Sequence, residues 1–194
     1  MHEPISFHAL TPDRWADFET LFGPDRGGNS GCWCLWPRLR RADYLVMPKA
    51  DRKAMFHQIV VRGPAPGVLA YENDLAIGWC AVGQRRNFAR FETTKVSKPV
   101  EGLSDAGIVY ALTCFFVRKG YTRRGLMREL SLAAIDMARR AGATAIEVCP
   151  VEADRPLVWG DGFTGIASVF SKLGFREIAR RSPRRPLMRL DLGA

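Results

Sequence analysis

Polar and apolar positions along the chain follow two periods, and each change of period marks an element. "ISFHAL", Ile5 to Leu10, predicts a short first strand. In "TPDRWADFETLFG", Thr11 and Pro12 make a helix start, and Trp15, Phe18, Leu21 and Phe22 recur at helical spacing. The glycine-rich "GPDRGGNSG" ends that helix and leads into "CWCLWPRLRR", which has no clear period. "KADRKAMFHQIVVRG" predicts a second helix, stopped at Gly63 and Pro64. Two strands, "GVLAYE" and "AIGWCAVG", follow around the turn residues Asn73 and Asp74, as in an antiparallel hairpin.

Residues 85–106 are mixed and basic, and predict a short helix within a loop. "YALTCFFV", Tyr110 to Val117, is an apolar strand, and the basic turn "RKGYTRRG" joins it to "LMRELSLAAIDMARRAGA". There Leu126, Leu130, Ala134, Met137 and Ala141 share one helical face, and Gly142 supplies the stop. "AIEVCPVE" predicts the next strand, "ADRPLVWGDG" is irregular, and "FTGIASVFSKLG" predicts a short helix. "REIARR" and "PLMRLDL" predict two last strands. The order β-α-α-β-β-β-α-β-α-β-β, with no repeat, low-complexity tract or long linker, predicts one mixed α/β domain over residues 1–194.

Composition narrows the function classes. An apolar share of 47% can fill a sizeable core, and 25% charged residues is ordinary for a soluble chain. No apolar run approaches the roughly 20 residues that cross a bilayer. "MHEPISFHAL" lacks the basic start and apolar stretch of a secretory signal, so a cytoplasmic protein without a membrane partner is expected. An odd number of cysteines, 5, then predicts reduced thiols, with Cys80, Cys114 and Cys149 in apolar runs as small hydrophobes. The net charge of +9 asks for an anionic partner. Its clusters, at 118–128 and 176–189, fit nucleic acid and fit one phosphorylated cofactor equally.

The segment "CFFVRKGYTRRGLMREL", Cys114 to Leu130, is a strand, a basic turn with glycine, and a helix. Amides of a first helical turn lack intrahelical partners, and the helix dipole adds positive charge there. With Gly125 admitting close backbone approach and Arg123 and Arg124 adding charge, this layout suits a pyrophosphate; it also suits a solvated basic loop.

These residues resemble the GNAT superfamily of N-acetyltransferases, whose cofactor motif is an Arg/Gln-x-x-Gly-x-Gly/Ala turn between a strand and a helix. "TRRGLM", Thr122 to Met127, is the matching turn. "VFSKLGFREIAR" is similar to the superfamily's late helix and strand, and "LAYENDLAIGWCAV" to its central hairpin. The likeness covers nearly the whole chain, and "CWCLW", "GWCAV" and "CFFV" together look like a bacterial branch of the superfamily. The resemblance implies a largely antiparallel central sheet, with helices on both faces and a splay between its fourth and fifth strands. It implies acetyl-CoA in that splay, with the pantetheine arm along Phe115, Phe116 and Val117. The pyrophosphate would lie on the amides of Thr122, Arg123, Arg124, Gly125, Leu126 and Met127, and a homodimer is a further implication. Thr122 and Met127 depart from the usual Arg or Gln and the usual small residue. Phe170 stands where many relatives carry a tyrosine that protonates the departing thiolate. That proton would then come from Ser168, Ser171 or a water, or the thiolate would leave unassisted.

Direct attack by an amine needs a proton acceptor, and Glu147 and Glu152 are the candidate catalytic carboxylates near the implied cleft. The alternative for Glu147 is an ion pair with an arginine. In "CWCLWPRLRR", a metal site is not expected, because Cys32-x-Cys34 lacks a second pair and His2, His8 and His57 have no ligand spacing with it. By resemblance this segment lines the acceptor side of the cleft. Trp33, Trp36 and Trp159 would form an apolar wall, and Arg38 or Arg41 would hold a carboxylate; ordinary loop packing is the alternative. The expected activity is acetyl-CoA-dependent transfer to an amine of a small molecule or a protein. A CoA-binding sensor without turnover and a basic nucleic-acid-binding module are the competing readings.

Overall fold

The computed structural model describes residues 4–23, 31–103, 107–154 and 161–193. Its strands are β1 (Ile5–Ala9), β2 (Gly67–Glu72), β3 (Leu75–Gln84), β4 (Ile108–Val117), β5 (Ala143–Val148), β6 (Arg176–Arg180) and β7 (Pro186–Asp191). Its helices are α1 (Trp15–Phe22), α2 (Arg41–Val46), α3 (Lys49–Arg62), α4 (Ala89–Thr93), α5 (Leu126–Arg140) and α6 (Ala167–Lys172). The strands form one 7-stranded sheet in the order β1-β2-β3-β4-β5-β7-β6, in which β4 and β5 run parallel and every other neighbouring pair runs antiparallel. The expected mixed, largely antiparallel sheet is the one observed.

Helices cover both faces because the central strands are apolar on both. On one face α5 buries Leu126, Leu130, Ala134 and Ala138 against Ile77, Cys80, Leu112 and Ile146. On the other, α1, α3 and the segment from Cys32 to Leu39 pack Phe18, Phe22, Trp33, Leu35 and Phe56 against Leu69, Trp79 and Ala81. Each such side chain contributes roughly 1.5–3 kcal/mol on burial. The boundaries of α3 and β2 match the sequence expectation. Helix α2 was not expected; it buries Tyr44 and leaves Leu45 and Val46 exposed, so no apolar stripe announces it. The expected strand over 145–152 instead starts at Ala143 and ends at Val148, because Gly142 turns the chain within one residue at φ +75°.

Two irregularities of β4 shape everything downstream. Opposite β3, Ala81 pairs with Cys114 and Val82 with Leu112, so Thr113 is an extra residue on the β4 side. This bulge inverts the alternation: Tyr110 and Leu112 face α5, while Cys114 and Phe116 face the α1 side and Phe115 returns to α5. Opposite β5, the parallel pairing ends at Leu112 and Val148, whereas β4 continues beside β3 to Val117. Beyond Val148 the chain makes a bridge from Val151 to Ile166 rather than to β4. The two strands therefore part at Thr113.

Close backbone approach on the α1 side is set by Gly67. A Cβ there would meet the Cys80 carbonyl at 2.3 Å and the Trp79 ring at 2.4 Å. Gly67→Ala is expected to destabilise the fold by about 1–3 kcal/mol through displacement of Trp79. The check is a lowered urea midpoint with an unchanged slope.

Candidate functional site

The turn after β4 is held from below. The Arg118 N–H donates to the Ile77 carbonyl at 2.9 Å and its Nε to the Ala76 carbonyl at 3.0 Å, which ties the turn to β3. Gly120 and Gly125 take φ of +92° and +78°, and Arg123 also sits in the left-handed region at +65°. Gly125 is the residue before α5, and the first bonds of the helix run from the N–H groups of Arg128 and Glu129 back to its carbonyl. The amides ahead of Arg128 are thus left without helical partners. A Cβ at Gly120 or Gly125 would meet open space, so these glycines serve backbone direction. Arg124 lies 4.7 Å over the Tyr121 ring and 3.4 Å from Glu72. The Tyr121 hydroxyl is pushed up by its hydrogen bond to Glu72. Leu126 is buried and Met127 packs onto the α5 core, so its bulk lies away from the turn's amides.

Two hollows open where β4 and β5 part. The first, about 320 Å³, is lined by Phe22, Trp36, Tyr44, Phe116 and Phe163 together with the thiols of Cys32, Cys34 and Cys114. Phe116 and Phe163 stack with centroids 6.3 Å apart. The second, about 290 Å³, is lined by Arg90, Phe91, Ser97, Cys149 and Arg185. Trp36, Pro37, Thr113 and Thr164 border both. Thr113 is 8% exposed, and its Oγ1 is buried without a hydrogen-bond partner. No Asp or Glu among the described residues lines either hollow.

Of the tryptophans expected to wall an acceptor pocket, Trp36 borders both hollows and Trp33 borders neither. Trp33, at φ +43°, is 3% exposed and lies between Trp15 and Phe22, 6.3 and 6.2 Å away. Trp159 lies outside the described residues. Arg38 turns away from these hollows, between the rings of Phe56 and Phe88 at 5.9 and 4.4 Å, and donates to the Pro66 carbonyl at 3.4 Å. Burial pushes its guanidinium down to about 10, opposed by the nearby Cys34. For Cys34, burial pushes the thiol up. A hydrogen bond from Cys114, the Arg38 cation and the Trp79 indole N–H at 3.2 Å together outweigh this and hold it below the usual thiol range. Cys114 is pushed well up, first by its hydrogen bond to Cys34 and then by burial.

The fold recurs in solved structures. The chain matches the Thermoplasma acidophilum PaiA N-acetyltransferase in complex with coenzyme A at 11% identity, covering 97% of this chain and 99% of that one, with a TM-score of 0.54. It matches Salmonella typhimurium yncA, solved with its cofactor acetyl-CoA, at 16% identity over 97% of this chain and 94% of that one, with a TM-score of 0.55. An N-acetyltransferase of Staphylococcus aureus matches at 12% identity, 98% and 99% coverage and a TM-score of 0.55. No curated protein matches the chain in sequence. The sequence pattern of the acetyltransferase (GNAT) family matches residues 31–158, well over half of the chain. The chain belongs to the acetyltransferase (GNAT) family. The co-substrate of that family is acetyl-CoA.

The two candidate carboxylates of this acetyltransferase-family chain have different surroundings. Glu147 is 2% exposed; one carboxylate oxygen meets Arg85 and the other lies 3.2 Å from Arg189. Arg85 also reaches Glu92 at 2.6 Å, and Arg189 reaches Asp191 at 2.8 Å. Glu147 borders neither hollow, and its geometry supports the ion-pair reading. Glu152, just past β5, is partly exposed and pairs with Arg180 at 2.9 Å. Phe170 is fully buried between Phe115 and Phe175, at 5.9 and 5.2 Å. Ser171 donates to the Ala167 carbonyl at 3.2 Å, and Ser168 is exposed.

Among the described residues no helix is long and apolar enough to cross a membrane, and no group of three or more potential ligands could hold a metal ion. Many of the carboxy-terminal arginines are spent on carboxylates: Arg176 on Asp191, Arg180 on Glu177 and Glu152, and Arg184 on Asp154. This fits solvated edge strands better than a free basic face. Glu147→Ala leaves Arg85 and Arg189 short of a buried counter-charge, and is expected to cost about 3–5 kcal/mol of stability. Equilibrium denaturation of the variant checks this.

Proposed function

We propose that the protein is an acetyl-CoA-dependent N-acetyltransferase that passes the acetyl group to a primary amine by direct attack. The observation that carries this reading is the parting of β4 and β5 at Thr113, in line with the unpartnered amides around Gly125. The backbone of Phe115, Phe116 and Val117 has β3 on one side and, among the described residues, no strand on the other, so it can pair with an extended pantetheine arm. The amides from Thr122 to Met127 would hold the pyrophosphate, helped by Arg123 and Arg124. Trp36 would wall the acceptor site; Trp33 supports that wall from the core, and Arg38 supports it through Cys34. By the likeness of its cysteine-tryptophan segment, the chain belongs to a bacterial branch of the family.

The bound co-substrate supplies an activated thioester. The chain's part is to fix that carbonyl beside Thr113, to keep water out with the aromatic wall, and to accept a proton from the incoming ammonium group. Glu152 is the carboxylate we assign to that proton, through water, because Glu147 is buried between two arginines whereas Glu152 is partly exposed beside one. With Phe170 buried, no side chain at its position protonates the leaving thiolate, which departs unassisted or takes a proton from water. Phe170 also keeps the binding-only reading in play; release of free CoA with a panel of amines separates it from turnover.

Calorimetry should show acetyl-CoA binding that Gly125→Val weakens about tenfold or more, because a branched side chain resists the left-handed backbone the cradle needs. Absence of binding by the unmodified protein would sink the proposal. Glu152→Gln is expected to lower kcat by about 10²-fold or more with acetyl-CoA affinity unchanged. Equal turnover would remove Glu152 from the reaction.

A further inference from the structure

The second hollow is lined by two arginines and, among the described residues, by no carboxylate. Arg185 donates to the Cys149 carbonyl at 2.8 Å, while its Nε is buried without a partner. No ion pair neutralises Arg185 among the described residues, although Arg180, Arg184 and Arg189 nearby each have a carboxylate. Where Trp36 lines the hollow, the Arg90 guanidinium lies 3.7 Å over its ring. The Arg90 N–H donates to the Pro37 carbonyl at 3.1 Å, which fixes that wall in place. Burial and the cation of Arg41 both push the Arg90 guanidinium down, as expected where positive charges crowd. Thr113, whose Oγ1 is buried without a partner, also lines the hollow, at the point where the strands part. A buried hydroxyl and a buried guanidinium N–H without partners are costly in an empty site, and both are answered by one planar anion.

We infer that the hollow between Arg90, Arg185 and Thr113 binds a carboxylate of the acceptor, which is therefore a free amino acid with an apolar side chain. The inference rests on the acetyl-transfer reading for where the amine must sit. With the amine at Thr113, a carboxylate one carbon away reaches into the cationic hollow. The side chain then enters the apolar hollow walled by Phe22, Trp36, Phe116 and Phe163. The two hollows share a border of Trp36, Pro37, Thr113 and Thr164, so one small molecule with two unlike arms spans them. A peptide amine would carry a neutral amide where the guanidinium groups require charge, and a peptide chain would have to leave through that wall.

The test compares L-phenylalanine with L-phenylalaninamide, which differ only in the charged group. Binding to the protein is measured by calorimetry with and without coenzyme A, and acetyl transfer is measured alongside. The acid is expected to bind about tenfold or more tightly than the amide, as charge-assisted hydrogen bonds in a partly buried site allow. Arg185→Gln should remove most of that preference, chiefly through KM, and leave acetyl-CoA affinity unchanged. Thr113→Val should weaken the acid more than the amide. Equal or stronger binding of the amide, or an undiminished preference in Arg185→Gln, overturns the inference. So does weakened acetyl-CoA binding in Arg185→Gln, which would assign that arginine to the co-substrate. A preference for the acid without any transfer keeps the carboxylate site and removes the transferase reading, so the two fail separately.

Discussion

One extra residue in β4 governs the site. A parallel pair of strands satisfies its own backbone, and parting such a pair leaves amides and carbonyls in a partly buried place without partners. Here the parting coincides with the bulge at Thr113, where pairing with β5 stops and pairing with β3 continues. The same bulge reverses which side chains face which layer. Cys114 and Phe116 consequently join the aromatic layer under α1, and Phe115 joins the core under α5 with Phe170. A β4 without the bulge would turn Phe116 away from the hollow and leave Thr113 paired. The open backbone edge, the apolar wall and the orphan hydroxyl are thus three results of a single insertion.

Charge is distributed to suit that arrangement. The most deeply buried ionic cluster, Arg85 and Arg189 around Glu147, lies in the sheet between β5 and β7 and not at either hollow. Such a cluster fixes strand register, since removing one member strands the others in a low-dielectric interior. The arginines of the β6–β7 hairpin are largely matched with carboxylates as well. Among the described residues, Arg123 in the turn after β4 and Arg185 at the second hollow form no ion pair, whereas Arg124 and Arg128 pair with Glu72 and Glu129.

Much of this was legible in the sequence, and the misses have a common cause. Helix α3 and strand β2 were readable to the residue because Gly63 and Pro64 punctuate a clear change of period. The strand-turn-helix from Cys114 to Leu130 was readable because glycine, arginine and an apolar stripe fall in the order the geometry needs. The ion-pair alternative for Glu147 was legible, but its partners were not: Arg85 and Arg189 are distant in sequence and meet it through the pairing of the strands. Thr113 gave no signal, because a bulge depends on the partner strand's register and not on the residue that is extruded. Arg185 and Arg90 were equally silent: whether an arginine has a carboxylate neighbour is a property of the fold.

The cysteine-tryptophan segment shows how a motif without period can still be fully determined. Trp33 and Cys34 both adopt left-handed backbone, at φ +43° and +59°, which non-glycine residues hold only when their surroundings favour it. The favouring contacts are visible on both sides. Trp33 is driven into the gap between Trp15 and Phe22, with Lys53 5.2 Å above its ring. Cys34 is set where the Trp79 indole can donate to its sulfur. Two consecutive left-handed residues then redirect the chain, so that Trp36 emerges on the side of the hollows instead of following Trp33 into the core. A regular helix or strand would have placed Trp36 by its period. The strained turn places it by contact, and those same contacts fix Trp36 at the border of both hollows.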